Sequence, residues 1–229
     1  MNTKLSELVF LLDRSGSMSD VAGAAIESFN IFLHEQQHAP GRARLSLILF
    51  DDEYLVPIDS LPIEEVVPLD DATYVPRGST ALLDALGRCI DELGARLERT
   101  PEAARPGKVV VAILTDGLEN SSVRETWKSV SRRIRHQRKK YGWDFLFLGA
   151  NQDAIATAAQ LHIGAANAAT YQADGIGVNA GVASMSRRTT GLRARAAGGA
   201  NEYEIRDAEA PMHDLLCEEE SKRRDDHRE

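Results

Sequence analysis

The chain has 229 residues, 43% of them hydrophobic and 27% charged, with a formal net charge of −8. Those figures fit one sizeable soluble domain, or one domain with a tail, and the acidic balance argues against general nucleic-acid binding. The longest apolar runs are strand length, so no membrane-spanning helix is expected, and "LVFLL", followed at once by Asp13 and Arg14, is too short for a signal-peptide core.

In chain order, "ELVFLL" from Glu7 reads as a first strand. A helix follows, with Ala22, Ile26, Phe29 and Leu33 recurring at spacings of three or four. "RLSLILF" from Arg44 and "YLVPI" from Tyr54 are strands joined directly by "FDDE". So short a connection is a hairpin, which makes the third strand antiparallel and places it at the sheet edge, where Pro57 is tolerated. A second helix runs through Leu82, Leu86, Ile90, Leu93 and Leu97, entered by "GST". "KVVVAILT" from Lys108 is a fourth strand; a third helix carries Val123, Trp127, Val130 and Ile134. "WDFLFLG" from Trp143 is a fifth strand, and a fourth helix follows "GANQD" with Ile155, Ala159 and Leu161. "AATYQ" offers a short sixth strand, and a weaker helix of small residues covers about 177–192.

Several of these strands are apolar at every position, as strands of a parallel sheet covered on both faces are. Strand and helix alternation predicts an α/β, doubly wound fold with right-handed crossovers. From Gly198 onward the chain is polar, mostly acidic and nearly without apolar periodicity. The expected organisation is therefore a domain over 1–197 and a charged, flexible tail over 198–229. Cys89 lies in a helical pattern and Cys217 in that charged stretch; two such residues give neither a disulfide framework nor zinc-ligand spacing, and an intracellular, cytoplasmic setting is expected.

In an open parallel sheet, ligands bind outside the carboxyl ends of the strands, where strand order reverses. After the first strand come Asp13, Ser15 and Ser17; after the fourth come Asp116 and Gly117; "RGSTALLDAL" places Ser79 and Thr80 at a helix start. Each residue alone reads as a cap or a turn. Together they offer carboxylates and hydroxyls from loops that share one edge. Such hard oxygen donors suit a hard divalent cation such as Mg²⁺, and the absence of His or Cys argues against zinc or copper. Residues two apart in an extended segment face the same side, so Asp13, Ser15 and Ser17 can converge, with Gly16 letting the backbone bend between the serines.

"DRSGSM", "GST" and "LTDG" resemble the three pieces of the metal-ion-dependent adhesion site of von Willebrand factor A (vWA) domains, in the family's order. The resemblance covers about 4–192. It implies a six-stranded sheet in the order 3-2-1-4-5-6 with the third strand antiparallel. It also implies that Ser15, Ser17 and Thr80 bind a metal directly, while Asp13 and Asp116 act through water. Mg²⁺ or Mn²⁺ is the implied cofactor, and the implied partner is another protein that supplies a Glu or Asp to the metal.

The reading that follows is a metal-dependent protein-binding module, not an enzyme, with no membrane or nucleic-acid partner. Two alternatives stand beside it. One is a metal-assisted phosphohydrolase using Asp13; against it, there is no G-x-x-x-x-G-K-[ST] loop, no D-x-D after the first strand and no G-x-S-x-G elbow. The other is an accessory subunit of a chelatase or AAA-type ATPase machine. Asp51, Asp52 and Glu53 read as a polar hairpin turn more readily than as a second cation site. Glu119 and Asn120 read as water-ordering groups or helix caps, and Asp84 as reaching back to the loop or lying on the surface. The basic third helix, from Arg124 to Lys140, reads as a solvated face rather than a docking surface.

Overall fold

The computed structural model describes residues 1–150 and 154–226, with side chains to 224. Six strands, β1 (Asn2–Asp13), β2 (Arg42–Phe50), β3 (Tyr54–Pro62), β4 (Pro106–Thr115), β5 (Asp144–Ala150) and β6 (Ala168–Tyr171), form one sheet in the order β3-β2-β1-β4-β5-β6. Only β3 runs antiparallel, paired to β2 through the hairpin. The expected topology is therefore the observed one. The helices are α1 (Ala22–His38), α2 (Leu82–Arg99), α3 (Trp127–Tyr141), α4 (Ala154–Gln160), α5 (Gly175–Ala197), α6 (Glu202–Glu209) and α7 (Met212–Asp226).

Strand alternation explains why runs such as "LVFLL" are apolar throughout. Leu8, Phe10 and Leu12 pack with Phe29, Phe32 and Leu33 of α1 and with Val178, Val182 and Met185 of α5. Val9 and Leu11 point to the other face, onto Leu86, Ile90 and Leu93 of α2 and Val130 and Ile134 of α3. Successive side chains serve opposite layers, so neither parity can be polar. β1 and β4 lie side by side at the switch point, with Leu12 opposite Leu114. That pairing sets Asp13 and Asp116 at adjacent strand ends.

The segment after Gly198 departs from the expected flexible tail. It forms α6 and α7, which pack on α5. Ala208, Met212, Leu215 and Leu216 are buried in that packing. So few apolar residues among so many charges leave a weak periodicity, which is why the sequence hides these helices. The charges have a structural role too: Arg187 of α5 pairs with Asp207 at 2.8 Å and with Glu218 and Glu219 at 2.9 Å. Gly191 lets the two backbones close, since a Cβ there would lie 2.4 Å from the Glu204 carbonyl oxygen. Cys217 sits exposed on α7, and Cys89 is buried in α2.

Smaller differences have local causes. α3 begins at Trp127, not near Val123, because Thr126 and Ser129 form a reciprocal capping box; Val123 is 88% exposed in the preceding loop. α2 begins at Leu82, so Thr80 lies two residues ahead of the helix. α5 is longer than expected, opened by Asp174, whose side chain accepts from the Gly177 N–H. The residues 151–153 that lead into α4 lie outside the described residues. Among the described residues, no helix is long and apolar enough to cross a membrane.

Candidate metal centre

Asp13 ends β1 and is fully buried. One carboxylate oxygen accepts from the Ser15 N–H at 2.7 Å, and the other from the Thr115 hydroxyl at 2.5 Å. Burial pushes its carboxyl up to about 6; the Thr115 and Ser15 hydrogen bonds oppose this, and the nearby Asp116 charge adds to it. Burial also raises Asp116, opposed by the Ser17 hydrogen bond. Two carboxylates at one strand edge, both harder to ionise than usual, are what a bound cation would relieve.

The hydroxyls gather above Asp13. The Ser15 and Ser17 Oγ atoms lie 3.1 Å apart, and the Ser17 hydroxyl donates to Asp116 Oδ1 at 2.7 Å. Thr80 joins through Gly117: a Cβ at Gly117 would lie 2.6 Å from Thr80 Oγ1 and 3.5 Å from Ser17 Oγ. Thr80 and Ser15 are each 2% exposed, whereas Ser17 is exposed, so the cluster has a buried floor and one open side. The five expected residues, Asp13, Ser15, Ser17, Thr80 and Asp116, therefore converge on one edge.

The donor set fits a small hard cation. Oxygens bound to Mg²⁺ at about 2.1 Å and at right angles sit about 3.0 Å apart. The Ser15–Ser17 and Ser17–Asp116 separations, 3.1 and 2.7 Å, bracket that edge length. Among the described residues, no three His, Cys, Asp or Glu side chains gather as a metal cluster, so hydroxyls must supply much of any ligand set here.

The loops carrying these groups are tied together. The Asn120 Oδ1 accepts from the Thr80 N–H at 2.9 Å, and the Asn120 N–H donates to the Thr80 carbonyl at 3.1 Å. Glu119 accepts from the Leu83 N–H at 2.8 Å, so it serves the first turn of α2 and not the helix that follows it in sequence. Asp84 does reach back: its carboxylate accepts from the N–H groups of Val123, Arg124 and Glu125. The Thr80 and Asp116 loops thus behave as one clasp.

On the other flank, Asp51 is buried and accepts from the Glu53 N–H at 2.5 Å. Arg14 reaches Asp51 at 3.1 Å and Glu53 at 3.3 Å, and Arg77 reaches Asp51 at 3.1 Å. The "DDE" stretch is thus a hairpin turn in which Asp51 and Glu53 are matched by guanidinium groups, while Asp52 accepts from the Ser79 N–H at 3.3 Å. The Arg77 N–H donates to the Arg14 carbonyl at 2.7 Å, and the Gly16 N–H to the Gly78 carbonyl at 3.1 Å. Gly78, at φ 66°, takes the left-handed conformation that favours glycine.

Sequence reasoning missed Thr115, Tyr74 and Tyr171. The Tyr74 hydroxyl donates to the Asp13 carbonyl at 2.6 Å, and the Tyr171 hydroxyl to the Thr115 carbonyl at 3.2 Å. Burial raises both phenols well above their usual range. Thr115 had a signal, a lone hydroxyl ending an apolar strand. The tyrosines had none, since Tyr74 arrives from a long irregular loop.

On α3, Arg133 pairs with Asp91 at 2.9 Å and Glu125 at 2.9 Å, which accounts for part of the basic run as intramolecular pairing.

No protein-family model and no curated protein matches the chain. Solved structures do. A von Willebrand factor type A protein from Catenulispora acidiphila superposes at TM-score 0.53 and 17% identity, over 81% of this chain and 42% of its own. The manganese-loaded TRAP protein of Plasmodium vivax gives 0.54 and 18%, over 75% of this chain and 70% of its own. Proximal thread matrix protein 1 from the mussel byssus gives 0.54 and 16%, over 80% and 45%. This chain thus spans less than half the length of the first and third. At such identities the likeness speaks to architecture, and it agrees with the strand order: the chain is built on the fold of von Willebrand factor A domains.

Proposed function

We propose that this chain is a metal-dependent protein-binding module. Asp13, Ser15, Ser17, Thr80 and Asp116 hold Mg²⁺ or Mn²⁺, and an acidic side chain of a partner protein docks there. The observation that carries the reading is the gathering of three hydroxyls and Asp116 over the buried Asp13, with oxygen separations of 2.7 and 3.1 Å. When bound, the cation supplies positive charge that three neutral donors leave largely uncompensated, which favours an oxygen anion from outside. That one structural neighbour is manganese-loaded supports a divalent ion on this fold.

The chain's own residues do the rest. Asp13 anchors the loop through the Ser15 N–H and Thr115. Asp116 orients Ser17, and the Asn120 clasp holds Thr80. The partner is a protein with an exposed Glu or Asp, and we place the module inside the cell. We propose no catalytic activity.

The test is capture of the native partner from its host by wild type and Thr80→Ala, each with Mg²⁺ and with a chelator. Capture should need the metal and fall sharply in Thr80→Ala, while that variant stays folded, because the N–H and carbonyl that tie Thr80 to Asn120 are backbone groups the substitution leaves in place. Capture indifferent to both would refute the module. Turnover of a phosphate ester that disappears in Asp13→Asn would put a phosphohydrolase in its place.

A further inference from the structure

The far end of α1 carries a second arrangement of ligand atoms, unrelated to the hydroxyl cluster. His34 and His38 stand four residues apart, both exposed, with ring centroids 4.2 Å apart and planes 39° apart. Positions i and i+4 share a helix face, and two imidazoles so spaced can chelate one metal ion. The tautomer of one ring is fixed. His38 Nδ1 lies 2.7 Å from the His34 carbonyl oxygen, which can only accept, so Nδ1 carries the proton. In the neutral ring, the lone pair is then on Nε2. An imidazole oriented by a hydrogen bond from its other nitrogen is the usual state of a metal-ligating histidine.

Helix ends fray, and His38 is the last residue of α1. Here the last turn is clamped. Gln36 is fully buried, and its side-chain amide donates to the Ser186 hydroxyl at 3.0 Å and to the Thr190 hydroxyl at 2.9 Å. Arg193 donates to the Gln36 backbone carbonyl at 2.7 Å and to its Oε1 at 2.9 Å, and a second Arg193 nitrogen donates to the Gly41 carbonyl at 3.0 Å. The backbone under the two rings is thus held in helical register before any ligand arrives.

We propose that His34 and His38 form a two-histidine site for a borderline transition-metal dication of the zinc, nickel or copper class. Imidazole donors favour such ions, while Mg²⁺ and Mn²⁺ favour the oxygens near Asp13. No third His, Cys, Asp or Glu joins the pair among the described residues, so water fills the remaining positions and binding is weaker than at a four-ligand structural zinc site. The 17 residues of α1 span about 25 Å at the helical rise, which separates the pair from the first site.

The test uses the full chain without an affinity tag and in an Asp13→Ala/Asp116→Ala background, so it stands or falls apart from the function proposed above. Zn²⁺ is titrated by calorimetry, and melting is followed with and without Ni²⁺. One Zn²⁺ per chain should bind, with affinity reduced at least about tenfold in both His34→Ala and His38→Ala. Ni²⁺ should raise the melting temperature of the parent and of neither variant. Both positions are exposed, so unchanged circular dichroism should accompany the loss. Zn²⁺ binding equal in parent and both variants, or no Zn²⁺ binding by the parent, would overturn the assignment.

Discussion

Removing residues 200–229 is expected to take away most of the folding stability. Met212, Leu215 and Leu216 are each no more than 2% exposed. Burying side chains of this size contributes about 1.5–3 kcal/mol each, an upper estimate because denatured chains are partly compact. Their loss alone approaches the total stability of a typical domain, about 5–15 kcal/mol. Truncation would also strip Arg187 of three carboxylates and uncover α5 along Gly181 and Gly191. Urea unfolding of the shortened chain should show a midpoint collapsed towards zero, or material that does not stay soluble. Leu215→Ala in the full chain gives a milder measure and should cost about 2–5 kcal/mol. A shortened chain with an unchanged midpoint would mean that α6 and α7 only rest on the domain.

The second large effect is expected at Gly117→Ala, which adds one carbon. That carbon would sit 2.6 Å from Thr80 Oγ1, far inside van der Waals contact. Thr80 has little room to yield, being 2% exposed and tied to Asn120 through both its N–H and its carbonyl. The strain must therefore separate Thr80 from Asp116. A cation that demands near-octahedral geometry tolerates such displacement poorly. Affinity for Mn²⁺ should fall by about 10–100-fold, the range for losing a group that orients a ligand. Overpacking at a loop edge should cost only about 1–3 kcal/mol. Wild-type Mn²⁺ affinity in this variant would show that Thr80 does not share the ion with Asp116.

The sheet was legible because buried parallel strands are apolar on both parities, and because "FDDE" leaves no room for a crossover. Asp13, Ser15, Ser17, Thr80 and Asp116 were legible because each lies at, or within a few residues of, a strand end or a helix start, where backbone position largely decides placement. What surrounds them was not. Tyr74 reaches the Asp13 carbonyl from a segment with no periodic structure, and Arg14 finds Asp51 across 37 residues, contacts that only the closed fold creates. The C-terminal helices were hidden for a different reason. Their apolar stripe is narrow, and charges such as Asp207, Glu218 and Glu219 that read as solvated are partners of Arg187. Composition reports that a segment is charged; it does not report that a guanidinium awaits it.

The most direct measurement is a calorimetric titration of Mn²⁺ into the tag-free wild-type chain and into Asp13→Ala/Asp116→Ala, with near-ultraviolet circular dichroism to show that both are folded. The convergence of five oxygen-bearing side chains at the β1 and β4 ends predicts a single binding event in the wild type and none in the folded double variant. Equal Mn²⁺ binding by the two proteins would place the ion elsewhere and contradict the proposed metal centre.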